Sequence, residues 1–144
     1  MAIVEQRAWV RSSQAAAFEA SQDYAKRRDW DPFSRRLETL PAEDGQRITR
    51  VTAWHGASMD VAFVAWFPPE RAAIRMVSRS RLLAVFAGSW AFLPKGDGMI
   101  EVRFRYQVTP HAYCAWLAPL MLVYFRWETR RRLAALKRYL ETGG

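Results

Sequence analysis

The stretch "FAGSWAFLPKGDGMIEVRFRY", residues 86 to 106, sets two alternating runs on either side of a glycine-rich turn. In and just beyond the second run, Ile100, Val102, Phe104, Tyr106 and Val108 point one way, and Glu101, Arg103, Arg105 and Gln107 the other. That is the period of a strand with one wet face and one dry face. "PKGDG" at 94 to 98 is a tight connection, so 83 to 93 and 99 to 108 read as antiparallel neighbours. The pleat then names an inward set: Phe86, Trp90 and Phe92 from one strand, Phe104 and Tyr106 from its neighbour, and Ile74 and Met76 from the run before, 72 to 79. Gly88, on the same face as Phe86 and Trp90, leaves a notch or permits the bend of a curved sheet.

A dry sheet face must be covered. Downstream, Thr109-Pro110 opens a helical segment running to about Glu141, with Thr129, Leu133, Leu136 and Leu140 at helical spacing. Arg130, Arg131, Arg132, Lys137 and Arg138 fall on its flanks, and Pro119 kinks it or divides off a shorter lead. Upstream, strand-like runs at 34 to 40, 47 to 55 and 59 to 67 are separated by "AEDG" at 42 to 45 and by His55-Gly56-Ala57-Ser58, and closed by Pro68-Pro69-Glu70. Residues 3 to 10 alternate as a first strand, and Ser12-Ser13 offers an N-cap for "QAAAFEASQDYAKRR". "RDWDPF" at 28 to 33 then stops the helical pattern, because the residue before a proline is pushed out of helical geometry. The expected fold is α+β. One domain over 1–144 has a curved antiparallel sheet of about seven strands around a long C-terminal helix, with two short helices after the first strand.

Composition agrees with a packed domain. A chain of 144 residues buries about 70% of its unfolded surface. Hydrophobic residues at 51% and seven tryptophans exclude a disordered chain, the Gly143-Gly144 tail apart. The single cysteine, Cys114, allows no internal disulfide, and Met1-Ala2-Ile3 runs straight into strand-like sequence, so a reducing cytoplasm is expected. The uncharged stretch from Ala112 to Phe125 is shorter than the ~20 residues of a membrane span and contains a proline. A net charge of +8 attracts nucleic acid, anionic lipid and acidic ligands alike. The basic residues are nevertheless spread along the whole chain, which reads as a solvated surface, and no nucleic-acid partner is expected.

The first strand with "SSQAAAFEASQDYAKRRDWDPFSRRLE", the paired strands of 86 to 106, and "RRRLAALKRYLE" at 130 to 141 together resemble the START-like, helix-grip superfamily of polyketide cyclases/dehydrases and lipid carriers. The resemblance covers nearly the whole chain. It implies a deep hydrophobic cavity between sheet and final helix that holds lipids, sterols, quinones or polyketides, and in some members aldol cyclisation or dehydration without a cofactor. The glycine-serine-tryptophan strand is similar in quinone-binding and ribosome-associated members, so it does not choose a branch. The cavity set expected on this basis is Trp30, Phe33, Ile74, Met76, Phe86, Trp90, Phe92, Phe104, Tyr106, Trp116 and Leu120. A metal is not implied, since His55 and His111 have no cysteine or acidic cluster at ligand spacing.

A cofactor-free cyclase needs a general acid or base facing the cavity. Candidates are Tyr106, placed by alternation, His55 at a hairpin tip, Asp60, Ser78, Tyr113, and His111 at a helix start. Four of them have an ordinary reading beside the catalytic one: Tyr106 as a buried tyrosine with one partner, His55 as an exposed turn histidine, Asp60 as a turn aspartate, and His111 as a solvated first-turn histidine. Cys114 reads as a buried, unreactive thiol. Asp29 and Asp31 diverge across a helix stop and are expected to be structural, Asp31 fixing the turn before Pro32. For the apolar run 112–127 three readings compete: burial inside the domain, a homodimer interface, or a lid touching membrane lipid, which Arg126 and Arg130 to Arg132 would suit. The leading functional expectation is a container for a small hydrophobic molecule. The alternative is a metal-free, lyase-type polyketide cyclase/dehydratase, and behind both stands a protein- or ribosome-binding regulator.

Overall fold

A computed structural model of the chain describes residues 2–27, 29–40 and 48–142. Strand β1 (Ala2–Arg11) leads into helices α1 (Gln14–Gln22) and α2 (Tyr24–Arg27). Strands β2 (Ser34–Leu40), β3 (Ile48–Ala53), β4 (Ser58–Phe67), β5 (Arg71–Met76), β6 (Leu83–Gly96) and β7 (Met99–Pro110) follow, and a 3₁₀ segment (Ala112–Leu117) precedes helix α3 (Ala118–Glu141). The seven strands form one antiparallel sheet in the order β1-β7-β6-β5-β4-β3-β2. The "AEDG" turn and the Gly143-Gly144 tail lie outside the described residues.

The predicted inward faces meet across the β6–β7 ladder, where Trp90 pairs with Phe104 and Gly88 with Tyr106. The Trp90 and Phe104 rings stack 3.8 Å apart, a cross-strand aromatic pair that pins the register. A β-carbon at Gly88 would come within 2.9 Å of the Tyr106 ring. Glycine therefore makes the notch into which this tyrosine lies. Register shifts between Phe63 and Ala65 in β4, and at both ends of β6, bend the sheet.

The cover is α3. Ser13 caps α1 by accepting from the Ala16 amide at 3.1 Å, and Gln14 Nε2 donates to the Phe92 carbonyl at 2.7 Å, fixing α1 to β6. Thr129, Leu133 and Leu136 of α3 are buried with Leu140 partly so. Lys137 and Glu141 tie the end of α3 to the backbone of Trp9 and Arg11 in β1. Two expectations for this segment need correction. The helical segment opens at Ala112 and not at Thr109, because β7 continues to Pro110, and its division into a shorter 3₁₀ lead and a long helix from Ala118 is one of the two outcomes expected at Pro119. Pro119 thus sits in the first turn, where its missing N–H costs nothing. Arg132 does not lie on the flank: it is 3% exposed and points at the sheet.

Candidate functional site

Between the concave face of the sheet and the first half of α3 lies a cavity of about 990 Å³. Its size suits a small ligand. Phe33, Ile74, Met76, Phe86, Trp90, Phe104, Tyr106 and Leu120, all expected there, line it. Three others expected there do not. Phe92 faces inward, but its ring is met edge-on by Phe18 of α1 at 6.0 Å, so helix rather than empty space covers it. Trp30 is buried behind the wall, edge-on to Trp90 at 6.2 Å, with Nε1 donating to the Ala20 carbonyl at 2.9 Å. Trp116 is 74% exposed on the outside of the 3₁₀ segment.

At the deep end, Asp31 is buried and accepts from Arg132 Nε at 3.1 Å and Nη2 at 2.9 Å. It also accepts from the Phe33 amide at 2.9 Å and Ser34 Oγ at 2.9 Å. The turn role expected of Asp31 is present. The charge pair, 101 residues apart in sequence, is the part that local reading missed. Burial works to raise the Asp31 carboxyl, but the charges of Arg132 and Arg27 and the bonds from Arg132 and Phe33 outweigh it, holding the group below the usual carboxylate range. Arg132 Nη1 donates to the Tyr106 hydroxyl. Burial pushes the Tyr106 phenol up, so its proton stays in place to donate to a ligand. Arg27 completes the group by donating from Nε to the Ser21 carbonyl at 2.8 Å, 4.0 Å from Asp31. Arg132 belongs to the same i, i+3, i+4, i+7 comb as Thr129, Leu133 and Leu136, the one sequence signal that marks it as inward.

A second polar line closes one side. His55, at the tip between β3 and β4, places Nε2 3.0 Å from the Tyr124 hydroxyl, and Nδ1 accepts from the Ala57 amide at 3.3 Å. Nε2 therefore carries the proton and donates to Tyr124. Tyr124 donates in turn to Glu128 Oε2 at 3.1 Å, which also accepts from Trp54 Nε1 at 3.1 Å. Burial and the nearby Glu128 charge push the Tyr124 phenol well up. Glu128 is fully buried, and its Oε1 has no hydrogen-bond partner among the described residues. His55 and Tyr124 both line the cavity.

The remaining candidates lie elsewhere. His111 is not in the cavity wall; since a carbonyl only accepts, its Nε2–H donates to Ser80 O at 2.7 Å, tying the β5–β6 loop to the end of β7. Asp60 points to the outer face and pairs with Arg50 at 2.8 Å. Tyr113 is 69% exposed. Ser78 lines the cavity. Cys114 is buried, its thiol donating to the Leu82 carbonyl at 3.3 Å. No group of three or more potential ligands for a metal ion occurs among the described residues.

Burial of 112–127 inside the domain is not what the structure has. Trp116, Leu120 and Val123 stand 74%, 66% and 63% exposed. No helix among the described residues is long and apolar enough to cross a membrane.

Solved structures share this architecture at low identity. The Zhui aromatase/cyclase from Streptomyces sp. R1128 aligns over 99% of this chain and 98% of its own, with 14% identity and a TM-score of 0.77. TTHA0849 from Thermus thermophilus aligns over 99% of both chains at 15% identity, with a TM-score of 0.79. The di-domain ARO/CYC BexL from the BE-7585A biosynthetic pathway matches 96% of this chain with 46% of its own, at 16% identity and a TM-score of 0.75. At these identities the likeness is one of fold. No curated protein matches the sequence. The family model described as "Polyketide cyclase / dehydrase and lipid transport" matches residues 1–141, and the chain belongs to that family.

Proposed function

We propose that the protein is a container for a small, largely apolar molecule, which it holds between the sheet and the first half of α3. The observation that carries this reading is the open cavity of about 990 Å³, walled by Phe86, Trp90, Phe104 and Phe125 and marked at its deep end by Tyr106 and Arg132. Apolar walls supply affinity and a few fixed polar groups supply orientation. Those two groups suit a carbonyl or hydroxyl on the buried part of the ligand. A filled interior would have left only the regulator reading; the open cavity keeps the container and the cyclase/dehydratase ahead of it. The lone buried thiol fits a reducing cytoplasm.

The exposed face of 112–127 is where such a container would meet its source. An anionic bilayer surface is the occupant that fits: Trp116, Leu120 and Val123 are apolar and outward, while Arg126 and Arg130 are exposed with no ion pair among the described residues. A homodimer through this face would bring two such arginine sets together. Arg132 takes no part in this surface, being buried, and Arg131 lies 4.8 Å over the Trp127 ring.

One observation favours the cyclase/dehydratase reading as the alternative. The Tyr106 hydroxyl lines the cavity while accepting from Arg132 and keeping its own proton, an arrangement able to protonate a leaving hydroxyl or steady an enolate oxygen; the Tyr124 proton is committed to Glu128. Native mass spectrometry of the protein as purified, followed by extraction and identification of any retained molecule, tests the container. Loss of that molecule in Trp90→Ala and Phe104→Ala is expected, and retention in both variants refutes the assignment. Release of water from a supplied aromatic poly-β-ketone, abolished by Tyr106→Phe, would move the reading to the enzyme.

A further inference from the structure

We infer that the ligand is an acidic amphiphile whose carboxylate or phosphate is held at the cavity mouth by Arg79 and Arg81. The inference rests on the container reading and adds the charge of the ligand.

The charge of the wall is one-sided. Among the described residues that line the cavity there are four arginines, Arg27, Arg79, Arg81 and Arg132, and no aspartate or glutamate. The two pairs of arginines are in different states. Arg132 is committed to Asp31 and Tyr106, and Arg27 to the Ser21 carbonyl. Arg79 and Arg81 are exposed, and neither has an ion-pair or hydrogen-bond partner among the described residues. Their guanidiniums are therefore the unspent charge of the site.

The loop that carries them, between β5 and β6, is firmly held. The Val77 amide donates to Asp60 O at 2.8 Å, and the Asp60 amide to Ser78 Oγ at 3.0 Å. Ser80 Oγ accepts from the Leu83 amide at 3.2 Å, and Ser80 O accepts from His111 at 2.7 Å. The His111 amide binds Leu82 O at 2.9 Å. Bonds on either side of each arginine fix where its side chain begins. Ser78 and Ser80, which also line the cavity, use their oxygens as acceptors and keep their O–H groups to donate. The same mouth is bounded by Leu82, Leu117 and Leu120. A molecule with its apolar body against Trp90 and Phe104 therefore leaves its acid group among two guanidiniums and two hydroxyls. Guanidinium binds carboxylate and phosphate through paired, charge-assisted hydrogen bonds.

Displacement of the neutral apolar dye Nile red tests this, with hexadecanoic acid, hexadecyl phosphate and hexadecan-1-ol as competitors that share one chain. In the unaltered protein at low salt, the acid or the phosphate should displace the dye at a concentration at least about tenfold lower than the alcohol, the effect of a single charge-assisted contact. Which of the two anions is stronger distinguishes a fatty-acid-type ligand from a phospholipid-type one. In the double variant Arg79→Gln/Arg81→Gln the ratio of acid to alcohol should fall below about twofold, while Arg35→Gln on β2, outside the cavity, keeps it. The ratio is the readout, so a variant that binds every competitor less tightly still reports. Equal potency of acid, phosphate and alcohol in the unaltered protein overturns the inference and leaves the container reading standing. So does a ratio that survives the double substitution. Failure of the protein to bind Nile red or any competitor overturns the container reading itself, and this inference with it.

Discussion

The two halves of α3 both carry apolar residues, eight before Thr129 and six from it onwards, and do opposite things with them. From Thr129 onwards the helix lies on β1 and β7, burying Leu133 and Leu136 and drawing Arg132 into the core. Before Thr129 it stands over the cavity, and Leu120, Val123 and Trp127 face outward. Hydrophobicity alone, then, does not place a segment. What places the second half is a set of partners waiting on the sheet. The first half has empty volume beneath it, so its apolar residues divide between a cavity ceiling of Met121 and Phe125 and an exposed rim.

Breaking the anchored half should cost most. Arg132→Met leaves the Asp31 carboxylate buried without its bidentate partner, and chemical denaturation should show a loss of about 3–5 kcal/mol. Arg126→Met, on the exposed half, should stay within about 0.5 kcal/mol. Equal stabilities would mean that the two halves are held alike. Leu136→Ala, at a position with no exposure, should lose about 2–5 kcal/mol with its cavity. Gly88→Ala forces the Tyr106 ring away from its resting place and should cost about 1–3 kcal/mol, read as a lower melting temperature. The pH response of the anchored half follows from Asp31. Its carboxyl titrates lower when folded than when unfolded, so its contribution to stability is complete at neutral pH. That contribution is withdrawn as the pH falls below about 4 towards the depressed folded value. Asp31→Asn should therefore flatten the stability profile in that acid range by up to about 1.4 kcal/mol per pH unit, and an unchanged slope would show that another group governs acid unfolding. Smallest in stability is Trp116→Ser/Leu120→Ser on the rim, which should melt within a degree or two of the parent by the small effect of exposed substitutions. The same variant should lose cosedimentation with vesicles of anionic phospholipid. If instead the parent ignores such vesicles and runs as a dimer that the variant splits, the rim is a homodimer surface.

The same contrast explains what could be read from the residues alone. Strand alternation is local, so the inward set of β6 and β7 was legible down to Trp90, Phe104 and Tyr106. The order of elements, a sheet of seven strands and its long closing helix, followed from it. Trp30 and Trp116 were misplaced in the cavity because a tryptophan announces burial or contact but not which. One is locked to a carbonyl of α1 and the other faces out. Arg132 was hidden by its neighbours, since a run of three arginines reads as a wet flank unless each position is mapped on the helix comb. Its partner Asp31 lies far away in sequence, and nothing local ties the two together. Arg79 fell at the end of the run read as 72 to 79, whereas β5 stops at Met76, and Arg81 lay between that run and the next, so the two were visible as residues but not as a place.

The sheet order has a consequence in time. Strand β1 pairs with β7, Ala2 opposite Val108 and Arg11 opposite Met99, so β1 has no partner in the sheet until β7, the last strand of the sheet in chain order, has been made. The strands from β2 to β7 can pair as successive hairpins meanwhile, each with its predecessor. The deep wall needs Asp31 and Arg132 together, and the ceiling needs α3. A cavity of this kind has no partly built state: it is walled only once α3 has been added to the completed sheet, which makes its formation, and the folding rate, a question of closure between distant parts of the chain.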